Sequence, residues 1–85
     1  MSNAEKHGVS FDEAVTVFLD ADALDGPDLE HSGGEPRFRR LGLSVEGRVL
    51  MVAYTLGRTG HVETIRLISA RRASRGERAA FLARD

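Results

Sequence analysis

Five arginines in the last third of the chain could together bind a phosphate. They lie where a strand is expected to run into a helix: Arg66, Arg71, Arg72, Arg75 and Arg78. Guanidinium groups form planar, bidentate hydrogen bonds with phosphate oxygens, and on a sheet they can stabilise the charge that develops at phosphorus. Arg75 and Arg78 are three residues apart, so a helix presents both on one face. The cluster therefore indicates a surface that binds a phosphodiester backbone.

A second group of candidate residues comes before the first long strand and consists of His31, Glu35 and Arg37. An imidazole or a carboxylate can transfer a proton. Glu35 and Arg37 are two residues apart, so an extended chain would point both to the same side. Each group also has a plainer interpretation. The five arginines could be a solvated helix end or pair with acidic residues of the same chain, and Glu35 and Arg37 could form a surface ion pair that contributes little to stability.

Other common catalytic chemistries have little support in the sequence. The chain has no cysteine, which excludes disulfides, thiolate metal sites and a cysteine nucleophile. The three histidines, His7, His31 and His61, are far apart and lack the spacing of metal ligands, so we expect no metal site. No serine lies in a nucleophile-elbow motif, and the glycine pairs match neither phosphate-binding fingerprint. We therefore expect no cofactor.

The distribution of charge supports a polyanion-binding surface. The chain has 85 residues, 41% of them hydrophobic, and a net charge of −1, which predicts one globular domain over residues 1–85. Residues 1–36 carry one base and nine acids, hence −8, whereas residues 37–85 carry eleven arginines and four acids, hence +7. A GC-rich genome could explain the preference for arginine, but it does not explain the clustering. No apolar run is long enough to span a bilayer, and the start lacks the apolar core of a signal peptide, so we expect a cytoplasmic protein.

The candidate residues must be positioned by a small α+β fold. Two capping-box patterns, Ser10 to Glu13 and Ser74 to Glu77, predict helices over about residues 11–19 and 75–84. The acidic segment 20–36 is rich in turn formers, which predicts a loop with at most a short edge strand near residues 23–24. Alternating and apolar runs predict three strands, over about residues 37–45, 48–56 and 61–70.

Short connections between the three strands require antiparallel neighbours, so the sheet should be a meander of three or four strands with a helix from each end of the chain. Residues 48–56 are apolar on both faces and should form the central strand. In the last strand, regular alternation places Arg66 on the same face as Ile68 and Ala70, among residues that can be partly buried.

Four blocks of the sequence resemble the BrnT family. The first block is residues 6–14 (KHGVSFDEA). The second lies within residues 31–42 and consists of His31, Ser32, the run from Glu35 to Phe38, and Gly42. The third and fourth are residues 48–55 (RVLMVAYT) and 65–74 (IRLISARRAS). Together they extend over most of the chain from Lys6 to Phe81. The first and last blocks are the more specific, because two separated motifs in the right order rarely coincide by chance.

The resemblance implies a RelE-like fold and a bacterial type II toxin. BrnT toxins cleave RNA and block translation, and they are neutralised by a BrnA antitoxin with a ribbon-helix-helix domain. The complex represses its own promoter, so operator DNA is contacted only through the antitoxin. The implied partners are therefore a BrnA-like antitoxin and RNA, on or off the ribosome, with a homodimer or a heterotetramer as possible assemblies.

In this framework the sequence yields specific expected roles. The substrate 2′-hydroxyl would attack, Arg66 and Arg71 would stabilise the charge at phosphorus, Arg37 would position the phosphate, and Glu35 or His31 would assist proton transfer. Tyr54 and Glu77 are second-rank candidates. Arg72, Arg75 and Arg78 would bind the RNA backbone.

The sequence also departs from the family pattern. Only five residues precede the Lys6 block, where relatives usually have a short strand and a longer helix that cover part of the sheet. Phe81 stands where tyrosine is common, and Gly76 and Ala79 stand where basic residues are usual. These departures favour an alternative function, a catalytically weak module that binds the antitoxin and supports repression. A third alternative is an α+β domain of unrelated function.

Overall fold

The structure is a computed structural model that describes residues 8–31 and 34–84, without the side chain of His31. Its centre is one antiparallel sheet with strand order β1-β2-β3-β4, formed by Leu24–Pro27, Phe38–Leu43, Val49–Thr59 and Val62–Arg72. A short helix α1, Phe11–Ala14, precedes the sheet, and helix α2, Arg75–Leu82, follows it. The α+β meander predicted from the sequence is confirmed, with four strands. The expected shortened front concerns residues 1–7, which lie outside the described residues.

The first helix is shorter than predicted. Ser10 caps it by accepting a hydrogen bond from the backbone N–H of Glu13 at 3.1 Å, as the capping box requires. The α-helix ends at Ala14, and Val15–Leu19 forms a 3-10 helix. Consecutive β-branched residues lose side-chain freedom in an α-helix, and the Thr16 hydroxyl donates to the Glu13 carbonyl at 2.6 Å. The predicted helix over 11–19 is therefore helical throughout but changes type in the middle.

The predicted acidic loop contains an edge strand. Leu24–Pro27 pairs antiparallel with β2, so that Leu24 lies opposite Leu41 and Pro27 lies opposite Phe38. A 3-10 turn follows at Leu29–His31. The short strand expected near residues 23–24 is thus present but lies at 24–27. Asp, Gly and Pro are poor strand formers, but an edge strand tolerates proline because its unpaired side needs no N–H donor.

The long hairpin extends further than the sequence predicts. The predicted strands 48–56 and 61–70 are too short, because β3 continues to Thr59 and β4 to Arg72. The turn reduces to Gly60 and His61, where Gly60 has φ 62°, a left-handed conformation that favours glycine. Cross-strand pairing, such as Thr59 with Val62, stabilises residues whose own strand preference is weak.

Two apolar clusters lie on opposite faces of the sheet. The α1 face carries Val9, Ala14, Val17, Leu50, Val52 and Ala70, all fully or almost fully buried. The other face carries Leu41 and Val49, with Phe81 of α2 packed against them. Since Val49 and Leu50 are successive strand residues, their side chains point to opposite sides. Helix α2 contacts this second face through Phe81, near Leu41 and Val49.

A β-bulge in β4 changes which side chains share a face. Ala53 pairs with Ser69 but Tyr54 pairs with Leu67, so Ile68 is the extra residue. Leu67 consequently packs against the α1-side cluster, to which Ala70 belongs. The predicted regular alternation of Arg66, Ile68 and Ala70 is therefore wrong. The Arg66 side chain is 71% exposed, so its expected partial burial is wrong too.

No helix among the residues described is both long and apolar enough to cross a membrane.

Candidate active site

The face of the sheet opposite α1 carries an open cleft with a volume of about 440 Å³. It is lined by Gly34, Glu35, Arg37, Thr55, Arg66 and Ile68. Three of the five predicted catalytic residues, Glu35, Arg37 and Arg66, therefore lie around one cavity. Arg66 donates a hydrogen bond from Nη2 to Oε2 of Glu35 at 3.0 Å, and both side chains are more than half exposed. The cleft thus combines guanidinium groups with a solvent-accessible carboxylate.

The sheet holds the two arginines of this cleft on adjacent walls. Arg66 pairs with Thr55 across β3 and β4, next to the bulge, and the buried Thr55 side chain lines the cleft between the strands. Arg37 lies just before β2, where its carbonyl accepts a hydrogen bond from the Asp28 N–H at 2.9 Å. The backbone on each side is therefore hydrogen-bonded to a neighbouring strand or turn, which fixes the points from which the two side chains start.

Arg71 is held by the capping box of α2. Its Nη1 and Nη2 donate to the two carboxylate oxygens of Glu77 at 2.7 and 2.9 Å. The same carboxylate accepts the Ser74 N–H at 2.8 Å, and the Ser74 hydroxyl accepts the Glu77 N–H. The Arg71 guanidinium is the main cause that lowers the pKa of Glu77 to about 2. Glu77, a second-rank candidate from the sequence, is therefore ionised near neutral pH and positions Arg71.

Arg71 lies in a second, smaller cleft beside the first. This cleft has a volume of about 220 Å³ and is lined by Asp28, Glu30, Arg39, Met51, Ala53, Ser69 and Arg71. Arg66 and Arg71 thus occupy neighbouring cavities on one face rather than a common one. Arg39, Glu30 and Thr55 are not among the residues that the sequence predicts for the site. The two-residue spacing of Arg37 and Arg39 was the available signal, since it predicts one shared face.

The three arginines expected to bind the RNA backbone do not form one surface. Arg75 and Arg78 are exposed on the first turns of α2. Arg72 directly follows Arg71 in β4, so its side chain points to the opposite face, where its charge helps to lower the pKa of Glu13. Arg72 is therefore separated by the sheet from the two clefts.

Tyr54 lies on the α1 side of the sheet. Its ring contacts Phe18 edge to face and stacks on Phe38, and its hydroxyl donates to Oδ1 of Asp25 at 2.6 Å. Burial, followed by the hydrogen bond to Asp25 and then by the negative charge of that carboxylate, raises the pKa of Tyr54 to about 12. Asp25 also forms an ion pair with Arg40. Tyr54 is thus part of the packing on the α1 side and does not line the open clefts.

The backbone of His31 lies in the 3-10 turn at Leu29–His31, and the position of its imidazole lies outside the described residues. Phe81, at the position where relatives often have tyrosine, is buried and has the Arg84 guanidinium 3.6 Å from its ring centroid. Within residues 8–31 and 34–84, no three His, Cys, Asp or Glu side chains come together as a metal-binding group.

These features define a small α+β domain with an arginine-rich open sheet face and carboxylates beside the guanidinium groups. The family model of the ribonuclease toxin BrnT, of type II toxin–antitoxin systems, matches residues 1–77. The chain belongs to this family, which confirms the resemblance seen in the four sequence blocks. A comparison with curated proteins finds no match. A toxin of a type II system implies an antitoxin as partner.

Proposed function

We propose that this chain is a metal-independent endoribonuclease that cleaves messenger RNA in the cytoplasm and so inhibits translation. The observation that carries the proposal is the cleft lined by Arg37, Arg66 and Glu35, in which Arg66 Nη2 lies 3.0 Å from Glu35 Oε2. Membership of a ribonuclease toxin family supports RNA as the substrate. Two guanidinium groups provide the positive charge that a cleaved phosphodiester requires.

In the proposed reaction the ribose 2′-hydroxyl attacks the adjacent phosphorus. The proton of that hydroxyl passes to Glu35 or His31, and Arg66 stabilises the negative charge on the non-bridging oxygens while Arg37 orients the phosphate. The bond to the 5′-oxygen then breaks, and this oxygen takes up a proton from water or from the residue that accepted the first proton. The products are a 2′,3′-cyclic phosphate and a 5′-hydroxyl. Arg71, held by Glu77, stabilises charge from the neighbouring cleft.

RNA binding would also depend on Arg75 and Arg78, whose exposed charges extend the basic surface along α2. The Arg72 side chain points to the other face of the sheet, so it would contact the RNA backbone only where the RNA continues around the edge of the sheet at β4. Each phosphate contact releases counterions, so affinity should fall steeply with salt concentration.

For partners, we propose a BrnA-like ribbon-helix-helix antitoxin, assembled with the toxin as a heterotetramer, that contacts operator DNA while the toxin does not. Membership of a toxin family of type II toxin–antitoxin systems supports an antitoxin as partner. Size-exclusion chromatography with light scattering on the co-expressed pair measures the stoichiometry of the complex. The same measurement on the toxin alone would show a homodimer.

Single substitutions in the cleft test the catalytic assignment. We expect Arg66→Ala to lower the rate of RNA cleavage by at least about a hundredfold, since removing one preorganised donor to an oxyanion has an effect of this size. Arg58→Ala is the matched control, because Arg58 forms an exposed ion pair with Glu63 at 3.6 Å near the hairpin turn. EDTA should leave the rate unchanged, and a 2′-deoxy nucleotide at the cleavage site should abolish cleavage. Full activity of Arg66→Ala would refute the assignment.

A second candidate function is a catalytically weak module that mainly binds the antitoxin. One observation favours it: Arg66 and Arg71 both pair with carboxylates, which compensate the charge that catalysis would need. Induced expression in a bacterial host separates the two functions. If growth is unaffected while the antitoxin still binds, the module explains the chain and the ribonuclease does not.

A further inference from the structure

We propose that the smaller cleft, defined by Glu30, Arg39, Met51, Ala53 and Ser69, binds a nucleobase and selects guanine. The inference rests on the proposed function in that RNA crosses the open sheet face. It adds a recognition site next to the catalytic cleft and gives the protein a preference for one base.

Arg39 and Glu30 leave room for a ligand between them. Both line the same cavity of about 220 Å³ and both are exposed. Within the described residues, Arg39 and Glu30 form no ion pair with each other, and neither forms one with any other side chain. Of the other charged residues of the cleft, Arg71 is held by Glu77 and acts on the phosphate in the proposed reaction, and Asp28 is buried with an interaction of its own. Arg39 and Glu30 are therefore the groups available to bind.

The chemistry of the cleft fits a base better than a phosphate. Glu35 in the larger cleft is paired with Arg66, whereas Glu30 forms no ion pair within the described residues, so its carboxylate repels a phosphate but accepts hydrogen bonds from ring and amino N–H groups. Guanine presents O6 and N7 as acceptors, the usual partners of arginine, and N1–H and the 2-amino group as donors. Arg39 can donate to the first pair and Glu30 can accept from the second. Met51 and Ala53 provide an apolar surface for the ring, and the Ser69 hydroxyl can bind a further polar edge.

The position of the cleft links base recognition to cleavage. Ala53 lines the smaller cleft and Thr55 lines the larger one, and these two residues are neighbours on one face of β3. Same-face neighbours in a strand are about 6–7 Å apart. Arg39 lies opposite Ala53 on β2 and Arg66 lies opposite Thr55 on β4, so their Cα atoms are about 12 Å apart. A phosphate bound at Arg66 would therefore lie one or two nucleotides from a base bound at Arg39, which places the selected guanine close to the cleaved bond.

Binding of uncleavable RNA tests the inference separately from catalysis. The probe is a fluorescent 2′-O-methyl oligouridylate with a single guanine, compared by anisotropy with versions carrying adenine, cytosine or uracil there. We expect the guanine probe to bind about tenfold more tightly to the full-length protein. E30Q and R39M should each reduce that preference to less than about threefold, while R58M, which changes an exposed pair near the hairpin turn, should retain it.

Modified bases assign the contacts atom by atom. Inosine lacks the 2-amino group, so replacing guanine by inosine should weaken binding to the wild type and have little further effect on E30Q. The 7-deaza analogue lacks the N7 acceptor and should behave in the same way with R39M.

The outcomes separate the two proposals. Base-dependent binding that E30Q and R39M abolish supports the subsite, even if the protein cleaves no RNA and the proposed function fails. Cleavage without any base preference overturns the subsite and leaves the ribonuclease intact. Equal affinity for all four probes, or equal losses for all probes in the variants, also overturns it.

Discussion

Replacing Glu77 by glutamine tests the group that holds Arg71. The amide oxygen of glutamine can still accept the Ser74 N–H, so the helix cap is largely retained. The charge that binds both Arg71 nitrogens at 2.7 and 2.9 Å is lost. The substitution therefore isolates the ion pair from the cap.

The expected loss of stability follows from the pKa. A carboxyl whose pKa falls from 4.5 to about 2 on folding stabilises the folded state at neutral pH by about 3 kcal/mol. The Arg71 side chain is 43% exposed, however, and water screens such a pair. We therefore expect Glu77→Gln to lower the free energy of unfolding by about 1–2 kcal/mol at pH 7.

The pH dependence distinguishes the ion pair from a packing effect. Because folding lowers the pKa of Glu77, its stabilisation is fully present above pH 4.5 and is lost as the pH falls toward 2. Urea denaturation of wild type and variant should therefore give stability differences that are largest at pH 7, with at least about two fifths of the difference lost by pH 3.5. Other acids titrate in both proteins and cancel.

Glu63→Gln is the matched control. Its partner Arg58 lies 3.6 Å away and both side chains are mostly exposed, so the change should be below about 0.5 kcal/mol at every pH. A difference between wild type and Glu77→Gln that stays constant from pH 7 to pH 3.5 would refute the assignment of the stabilisation to the charge pair.

Three further predictions concern groups away from the clefts. Arg48→Met removes the ion-pair partner of the buried Glu13 carboxylate and should lower the midpoint of urea denaturation more than Glu63→Gln does; equal midpoints for the two variants would contradict a stabilising pair. Tyr54 is the single tyrosine, so its phenolate absorbance should titrate near the raised pKa of about 12, and a midpoint at 10 would contradict its burial. Gly42→Ala puts a methyl group 3.0 Å from the nearest side-chain carbon and should destabilise by about 1–3 kcal/mol, whereas Gly76→Ala, with open space around it, should be neutral or stabilising in thermal unfolding.

Local patterns predicted the elements well, since each depends on a few neighbouring residues. The Ser10 N-cap and the Ser74 capping box mark the start of the two helices, and the apolar run before Tyr54 marks the central strand. Strand ends were harder to predict. Thr59 and its neighbours join the hairpin because the opposite strand supplies hydrogen bonds, which no local preference reports.

The candidate site was predicted only in part. Alternation correctly indicated that Glu35 and Arg37 could share one side, and they line the same cleft as Arg66. It failed in β4, where the bulge at Ile68 shifts the side chains by one position. The two-residue spacing of Arg37 and Arg39 indicates a shared face, but only the tertiary structure shows that Arg39 lines a cleft with Glu30.

The sequence by itself determined the family, the fold class and the supply of positive charge, because composition, caps and motifs are properties of the chain alone. Tertiary structure decided which charges act together. Pairing across β3 and β4 separates Arg66 from Arg71 into two clefts, and the helix cap brings Glu77 to Arg71. These outcomes depend on strand register and on helix docking, and both are set by burial of side chains that are distant in sequence.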